Sequence, residues 1–229
     1  MKARHHRTNL LRLIALLIMS LAASPVLANS SPFGVEGIDE SDLKIHYFGF
    51  PLDGIRGVGL GVQMLTPREG DDSAYSVAVR LDQLQSILGK DDGSLGWALG
   101  VSGLVGLDLD ERFRVDARLE TGVAIGLRVA TIFPVVGVGV ERLGPISDAY
   151  PNGVPFGPYG LVGLKARVGI AHGFGVDAMF HYHIRETEFS HFSFETRFLI
   201  GRGSPFFLGA SYERFPESSA LATSLGLAW

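Results

Sequence analysis

The stretch RFRVDARLETGVAI, Arg112 to Ile125, puts Arg112, Arg114, Asp116, Arg118 and Glu120 at alternate positions. Phe113, Val115, Ala117, Leu119, Val123 and Ile125 fall between them. A period of two belongs to a strand, whose successive side chains point to opposite sides. This strand is charged on one side and apolar on the other.

The same rhythm runs in both directions along the chain. In AYSVAVRLD, Tyr75, Val77, Val79 and Leu81 oppose Ser76, Arg80 and Asp82. In SLGWALGVSGLVGLD, Leu95, Trp97, Leu99, Val101, Val105 and Leu107 oppose Gly96, Ala98, Gly100, Ser102 and Gly106. YGLVGLKARVGI sets Val162, Leu164, Ala166, Val168 and Ile170 against Tyr159, Lys165 and Arg167. FGVDAMFHYHIRE sets Val176, Ala178, Phe180, Tyr182 and Ile184 against Asp177, Met179, His181, His183 and Arg185. SHFSFETRF interleaves His191, Ser193, Glu195 and Arg197 with Phe192, Phe194 and Phe198.

Turn-forming clusters such as PREGDDS at Pro67 to Ser73 and KDDGS at Lys90 to Ser94 separate these segments. Ten strands are expected, near residues 55–66, 74–84, 94–107, 112–126, 129–142, 158–170, 174–186, 189–201, 205–214 and 219–229. Eight and twelve are the alternative counts. With short turns and no helical crossovers, the expected fold is all-β: a closed antiparallel up-and-down transmembrane β-barrel. Pro134 cannot donate to a ladder and marks a bulge or an interruption in its strand.

Placement of charge favours lipid over water outside. Segments of 10 to 15 residues are about twice the usual soluble strand length, and ~10 tilted residues cross a hydrocarbon layer. The 229 residues are 46% apolar, and mean hydropathy is +0.24, yet no stretch after residue 28 holds 18 consecutive apolar residues. A spanning helix is therefore not how the apolar content is arranged. The opening MKARHHRTNLLRLIALLIMSLAASPVLANS reads as a secretory signal peptide over 1–28, with Lys2, Arg4, Arg7 and Arg12 ahead of an apolar run and Val26-Leu27-Ala28 at the cut. Residues 29–54 form an N-terminal periplasmic segment or extra strand, with LKIHYFGF at Leu43 to Phe50 as an additional strand or a plugging piece. Residues 55–229 form the barrel.

The composition excludes several functions. Cleavage would remove four basic residues and leave a formal charge of −8, which disfavours nucleic acid. The absence of cysteine excludes thiolate metal or redox chemistry. No cofactor is expected.

An aromatic at the end of the chain, preceded by apolar residues at alternate positions, resembles a bacterial outer-membrane β-barrel protein; here these are Leu221, Leu225, Leu227 and Trp229. That resemblance implies the cell outer membrane as location, with its lipids and lipopolysaccharide and the barrel-assembly machinery as partners. Trp97, Tyr75, Tyr182, Tyr212 and Trp229 read as interface aromatics. The lumen is expected to hold a paired charge network of Arg112, Arg114, Asp116, Arg118, Glu120, Lys165, Arg167, Asp177, His181, His183, Arg185, Glu195 and Arg197, with Glu213 among the carboxylates. The function expected is that of a structural envelope protein or a narrow channel for small solutes.

Two alternatives stand beside it. If Glu186 to Glu188 turns the chain, His183 faces His191, His181 faces Ser193, Met179 faces Glu195 and Asp177 faces Arg197; a turn at Gly203 sets Glu213 opposite Ser193. His191-x-Ser193 is similar to the pair in outer-membrane lipid A 3-O-deacylase and phospholipase A. That similarity implies His191 as base, Ser193 as nucleophile and Glu213 or Glu195 as orienter. Those enzymes present the pair toward lipid, whereas Phe192, Phe194 and Phe198 here send it inward. The other alternative is a soluble periplasmic lipocalin-like cup. His181, His183 and His191 read as hydrogen-bonded or titrating lumen residues in preference to metal ligands.

Overall fold

The computed structural model describes residues 48–67, 74–86, 95–108, 113–142, 155–186, 189–216 and 218–229. Arg112 and residues 1–28 lie outside the described residues, as does Leu43 to Tyr47 of the proposed plugging piece. Ten strands follow one another: β1 (Gly54–Pro67), β2 (Ala74–Ser86), β3 (Leu95–Asp108), β4 (Phe113–Gly126), β5 (Ala130–Arg142), β6 (Gly157–Ala171), β7 (Phe174–Ile184), β8 (His191–Ile200), β9 (Phe206–Arg214) and β10 (Ser218–Ala228). Each strand pairs antiparallel with its neighbours in sequence. Contact of β1 with β10, from Gly57↔Ala228 to Pro67↔Ser218, closes the barrel. Closure leaves no edge with unpaired backbone groups.

The closed, antiparallel, up-and-down barrel of ten strands is the expected one, and strand ends differ from the sequence reading by two residues or fewer. Outside, the side chains are large and apolar: Trp97 is 61% exposed, Val138 64%, Leu164 51% and Leu225 62%. Inside, Arg167, Asp177, Lys165 and Glu120 are at most 1% exposed. Alternation therefore separates two environments on every strand. Pro134 pairs with Leu164 of β6, but toward β4 the ladder skips from Gly122↔Val135 to Ile125↔Ile132. The missing rungs lie beside the residue that has no N–H to give. One bulge occurs between Gly169 and Ala171, where β6 turns into β7 through Gly173 at φ 77°.

The barrel has two unlike rims. At the terminal rim, Phe48, Phe50 and Leu52 pack into the barrel mouth against Leu199, Phe207 and Ala228. Gly173 N–H donates to the Phe48 carbonyl, and Gly203 N–H to that of Gly49. Residues 48–52 thus plug this end. Next to them lies an inward apolar cluster of Ile55, Leu84, Ala98, Ala124, Phe133, Val135 and Met179. The sequence reading places Ala98 and Met179 on the inward side but expects a charged lumen and does not send Ile55, Leu84, Ala124, Phe133 and Val135 inward. Strand parity sends these residues inward, where they pack as an ordinary core. The opposite, loop rim is where β1, β3, β5, β7 and β9 end.

Candidate functional site in the lumen

Register decides which inward side chains meet. The β7–β8 ladder pairs Asp177↔Arg197, Met179↔Glu195, His181↔Ser193 and His183↔His191, and β8–β9 pairs Ser193↔Glu213. These are the pairings expected from turn positions. The charged residues then sort into three layers.

Nearest the plug, Arg167 donates from Nε and Nη2 to Asp177 Oδ1 and Oδ2 at 2.7 and 2.9 Å. Its Nη1 reaches the Pro51 carbonyl at 3.4 Å and the Trp229 carbonyl at 3.3 Å, tying the plug to the wall. The central layer is a continuous network. Arg80 bridges Asp82, at 3.0 Å, and Glu195; Arg197 also bridges them, with Nε 2.7 Å from Glu195. Arg118 lies 2.7 Å from Glu120, 3.6 Å from Asp116 and 3.7 Å from Asp82, while Lys165 donates to Glu120. A charge buried alone costs several kcal/mol, so pairing is what lets these residues occupy a narrow interior.

The third layer lies at the loop rim. Arg114 Nη2 donates to both Glu213 oxygens at 2.8 Å and Arg114 Nη1 to Gln63, whose amide donates to Glu213 at 3.1 Å. Tyr159 donates its hydroxyl to Asp116 at 2.5 Å. Four rings lie in a row, Tyr159 stacked on His183 at 4.7 Å, His183 stacked on His191 at 4.1 Å and Phe215 tilted against His191 at 4.4 Å. His183 Nδ1 lies 3.3 Å from Glu141 Oε2. One ligand atom from each of Glu141, His183 and His191 falls within 4.8 Å of the others, and all three residues are buried.

Large inward groups fit because inward glycines face them. A Cβ on Gly139 would lie 2.6 Å from the Tyr159 ring, and one on Gly163 would lie 2.7 Å from His181. A cavity of about 50 Å³ lies among these side chains, lined by Arg80, Arg114, Glu195, Arg197 and Glu213 among others. At ~15 Å³ of such volume per water, it holds roughly three waters.

Of the residues named from sequence, Arg114, Asp116, Arg118, Glu120, Lys165, Arg167, Asp177, Glu195, Arg197 and Glu213 join these layers. Arg185 sits at the loop rim, 3.8 Å from Glu141 and donating to the Pro155 carbonyl at 2.8 Å. Sequence reading missed Arg80 and Asp82 as network members, although VRLD places both on the inward parity of β2. It also missed Gln63, Glu141 and Tyr159; Glu141 stands alone at the end of an apolar strand, where alternation carries no charge pattern. His191 and Ser193 both point inward, but they do not form a dyad. His191 Nδ1 lies 3.1 Å from the Phe189 carbonyl, and Ser193 Oγ has no hydrogen bond to a described residue. Comparison with protein-family models and with curated proteins found no match for the chain.

Proposed function

We propose that the chain is an integral outer-membrane β-barrel protein whose lumen is sealed by ion pairs and which acts as a structural element of the envelope. The observation that carries this reading is the inversion of polarity across the wall. Leucines, valines and phenylalanines stand half or more exposed around the outside, while arginines, a lysine and carboxylates lie at or near zero exposure inside. A water-soluble barrel with this exterior would present a continuous apolar surface far beyond the few hundred Å² that monomers tolerate. A bilayer removes that cost, and the strand lengths of 9 to 15 residues suit its thickness.

The inward ion pairs argue for a wall over a conduit: arginines, a lysine and carboxylates from different strands meet within the lumen, as Arg197 does Asp82 and Lys165 does Glu120. In this reading, the loop rim faces outward from the cell and the terminal rim faces the periplasm, as an even strand count requires. Tyr75, Trp97 and Tyr182 would sit at the lipid interfaces near the headgroups of phospholipid and lipopolysaccharide. Leu221, Leu225, Leu227 and Trp229, on the outer side of β10 and just beyond it, are the side chains the barrel-assembly machinery would contact.

The test is membrane fractionation followed by electrophoresis with and without boiling. The expected result is a carbonate-resistant membrane protein whose unboiled form migrates faster. Recovery in the soluble extract with no heat-modifiable shift would overturn the reading. Planar-bilayer recording should then give no discrete current steps, and reproducible steps would refute the sealed lumen.

A further inference from the structure

Every other inward carboxylate among the described residues accepts a hydrogen bond from an arginine, a lysine or a tyrosine. Asp82 and Glu195 receive arginines, Glu120 a lysine, Asp177 and Glu213 an arginine each, and Asp116 the Tyr159 hydroxyl. Glu141 differs. It is 1% exposed, its nearest described partner is the His183 imidazole at 3.3 Å, and its Oε1 has no hydrogen bond. Arg185 approaches only to 3.8 Å. A buried carboxylate with so little cationic compensation is costly, and a cation is what its surroundings lack.

The imidazoles beside it are also left with free nitrogens. His183 Nε2 is buried without a hydrogen-bond partner, so no described residue fixes the proton on Nδ1, and a proton on Nε2 leaves the Nδ1 lone pair, beside Glu141, open. His191 places Nδ1 against the Phe189 carbonyl at 3.1 Å; donation there puts the proton on Nδ1 and leaves the Nε2 lone pair free. That arrangement, one ring nitrogen held by a backbone carbonyl and the other open, is how ligating histidines are commonly oriented. Tyr159, stacked, and Phe215, tilted, hold the two rings from either side, so both side chains are fixed before any ligand arrives.

We propose that Glu141, His183 and His191 form a binding site for one first-row divalent cation of the zinc class at the loop rim of the lumen. Their ligand atoms lie within 4.8 Å of one another. Tetrahedral zinc with bonds of ~2.0–2.2 Å needs ligand atoms about 3.4 Å apart, and Glu141 Oε2 already lies 3.3 Å from His183 Nδ1, the nitrogen through which His183 would ligate. Two imidazoles with one carboxylate suit zinc, copper or nickel and disfavour calcium or magnesium, which take oxygen donors. Three protein ligands leave a fourth position for water. Tyr159 and Arg185, which flank the site, also line an open groove at the rim, giving an ion a route in. The site does not depend on the barrel being in a membrane.

The experiment uses the mature barrel without a histidine tag, folded in detergent micelles and freed of metal by chelator. Cobalt titration should produce visible d–d absorption of a tetrahedral centre, and equilibrium dialysis should retain one zinc ion per chain. His183→Gln and His191→Gln should each weaken zinc binding by about 100-fold or more, since even outer-shell changes cost 10–100-fold. Ser193→Ala and His172→Gln should leave it unchanged, and excess magnesium should not displace zinc. Heat-modifiable mobility reports whether each variant is folded. Should a histidine variant fail to fold, Glu141→Gln is read instead and should abolish the cobalt bands. Absence of cobalt bands in the wild-type barrel, or zinc retention that survives these substitutions, would overturn the site.

Discussion

At the centre of the lumen Glu120 takes a hydrogen bond from Lys165 and lies 2.7 Å from Arg118. At the loop rim Glu141, equally buried, has an imidazole at 3.3 Å and a guanidinium at 3.8 Å. The first carboxylate belongs to a network in which each charge is met by an opposite one. The second belongs to a cluster whose donors and acceptors are left over. The difference teaches that polar atoms without a hydrogen-bond partner occur in both layers, but that at the rim a buried carboxylate also lacks a close cation.

The largest expected effect breaks the central layer. Glu120→Gln takes from Lys165 its carboxylate and leaves Arg118 only the more distant Asp116 and Asp82, and should cost ~3–5 kcal/mol, the usual penalty for orphaning a buried charge. Glu141→Gln should cost only about 0.5–1.5 kcal/mol, the range of an ordinary hydrogen bond. Urea titration of the folded gel band measures both, and equal costs would erase the distinction between the layers.

The second effect compares inside with outside. Leu164 sits at the middle of β6 and is 51% exposed. Leu164→Arg should destabilise the barrel by ~2–4 kcal/mol in lipid vesicles if that face meets hydrocarbon. A change near zero would place water there instead.

A third and smaller effect tests how tightly the lumen is filled. A Cβ at Gly163 would meet His181 at 2.7 Å and the Phe180 carbonyl at 2.9 Å. Gly163→Ala should therefore cost ~1–3 kcal/mol by overpacking. Gly203→Ala is a poor control, because its φ of 68° strains any side chain, so Gly160→Ala, with open surroundings, serves as the reference. The smallest effect is expected for His183→Gln in chelator, at or below ~1.5 kcal/mol, since the glutamine amide can replace the imidazole as the donor to Glu141. A loss as large as that of Glu120→Gln would mean that the histidine layer is structural.

Much of the fold was legible because each strand repeats one simple message. Arg112 to Ile125 states it most clearly, and the turn clusters cut the rest into ten segments. The β7–β8 register was also legible, since a short turn after Ile184 leaves little freedom in what His183 can face. The site was less so. Gln63 and Tyr159 are polar groups in largely apolar or glycine-rich company, and Glu141 ends such a strand; their partners come from strands far away in sequence, Arg114 with Glu213 and Glu141 with His183 among them. The inward apolar cluster around Phe133 and Val135 was hidden for the opposite reason, because apolar residues on both faces blur the alternation.

By itself the sequence determined the period of two and, on the strands where charge alternates with apolar residues, the side of the wall on which each residue stands, because these depend on local backbone geometry. Only the tertiary structure decided which charges meet across the lumen, that residues 48–52 plug one end, and that Glu141 is left beside two histidines. Those outcomes depend on closure of β1 onto β10, which sets distances between strands that no local pattern encodes.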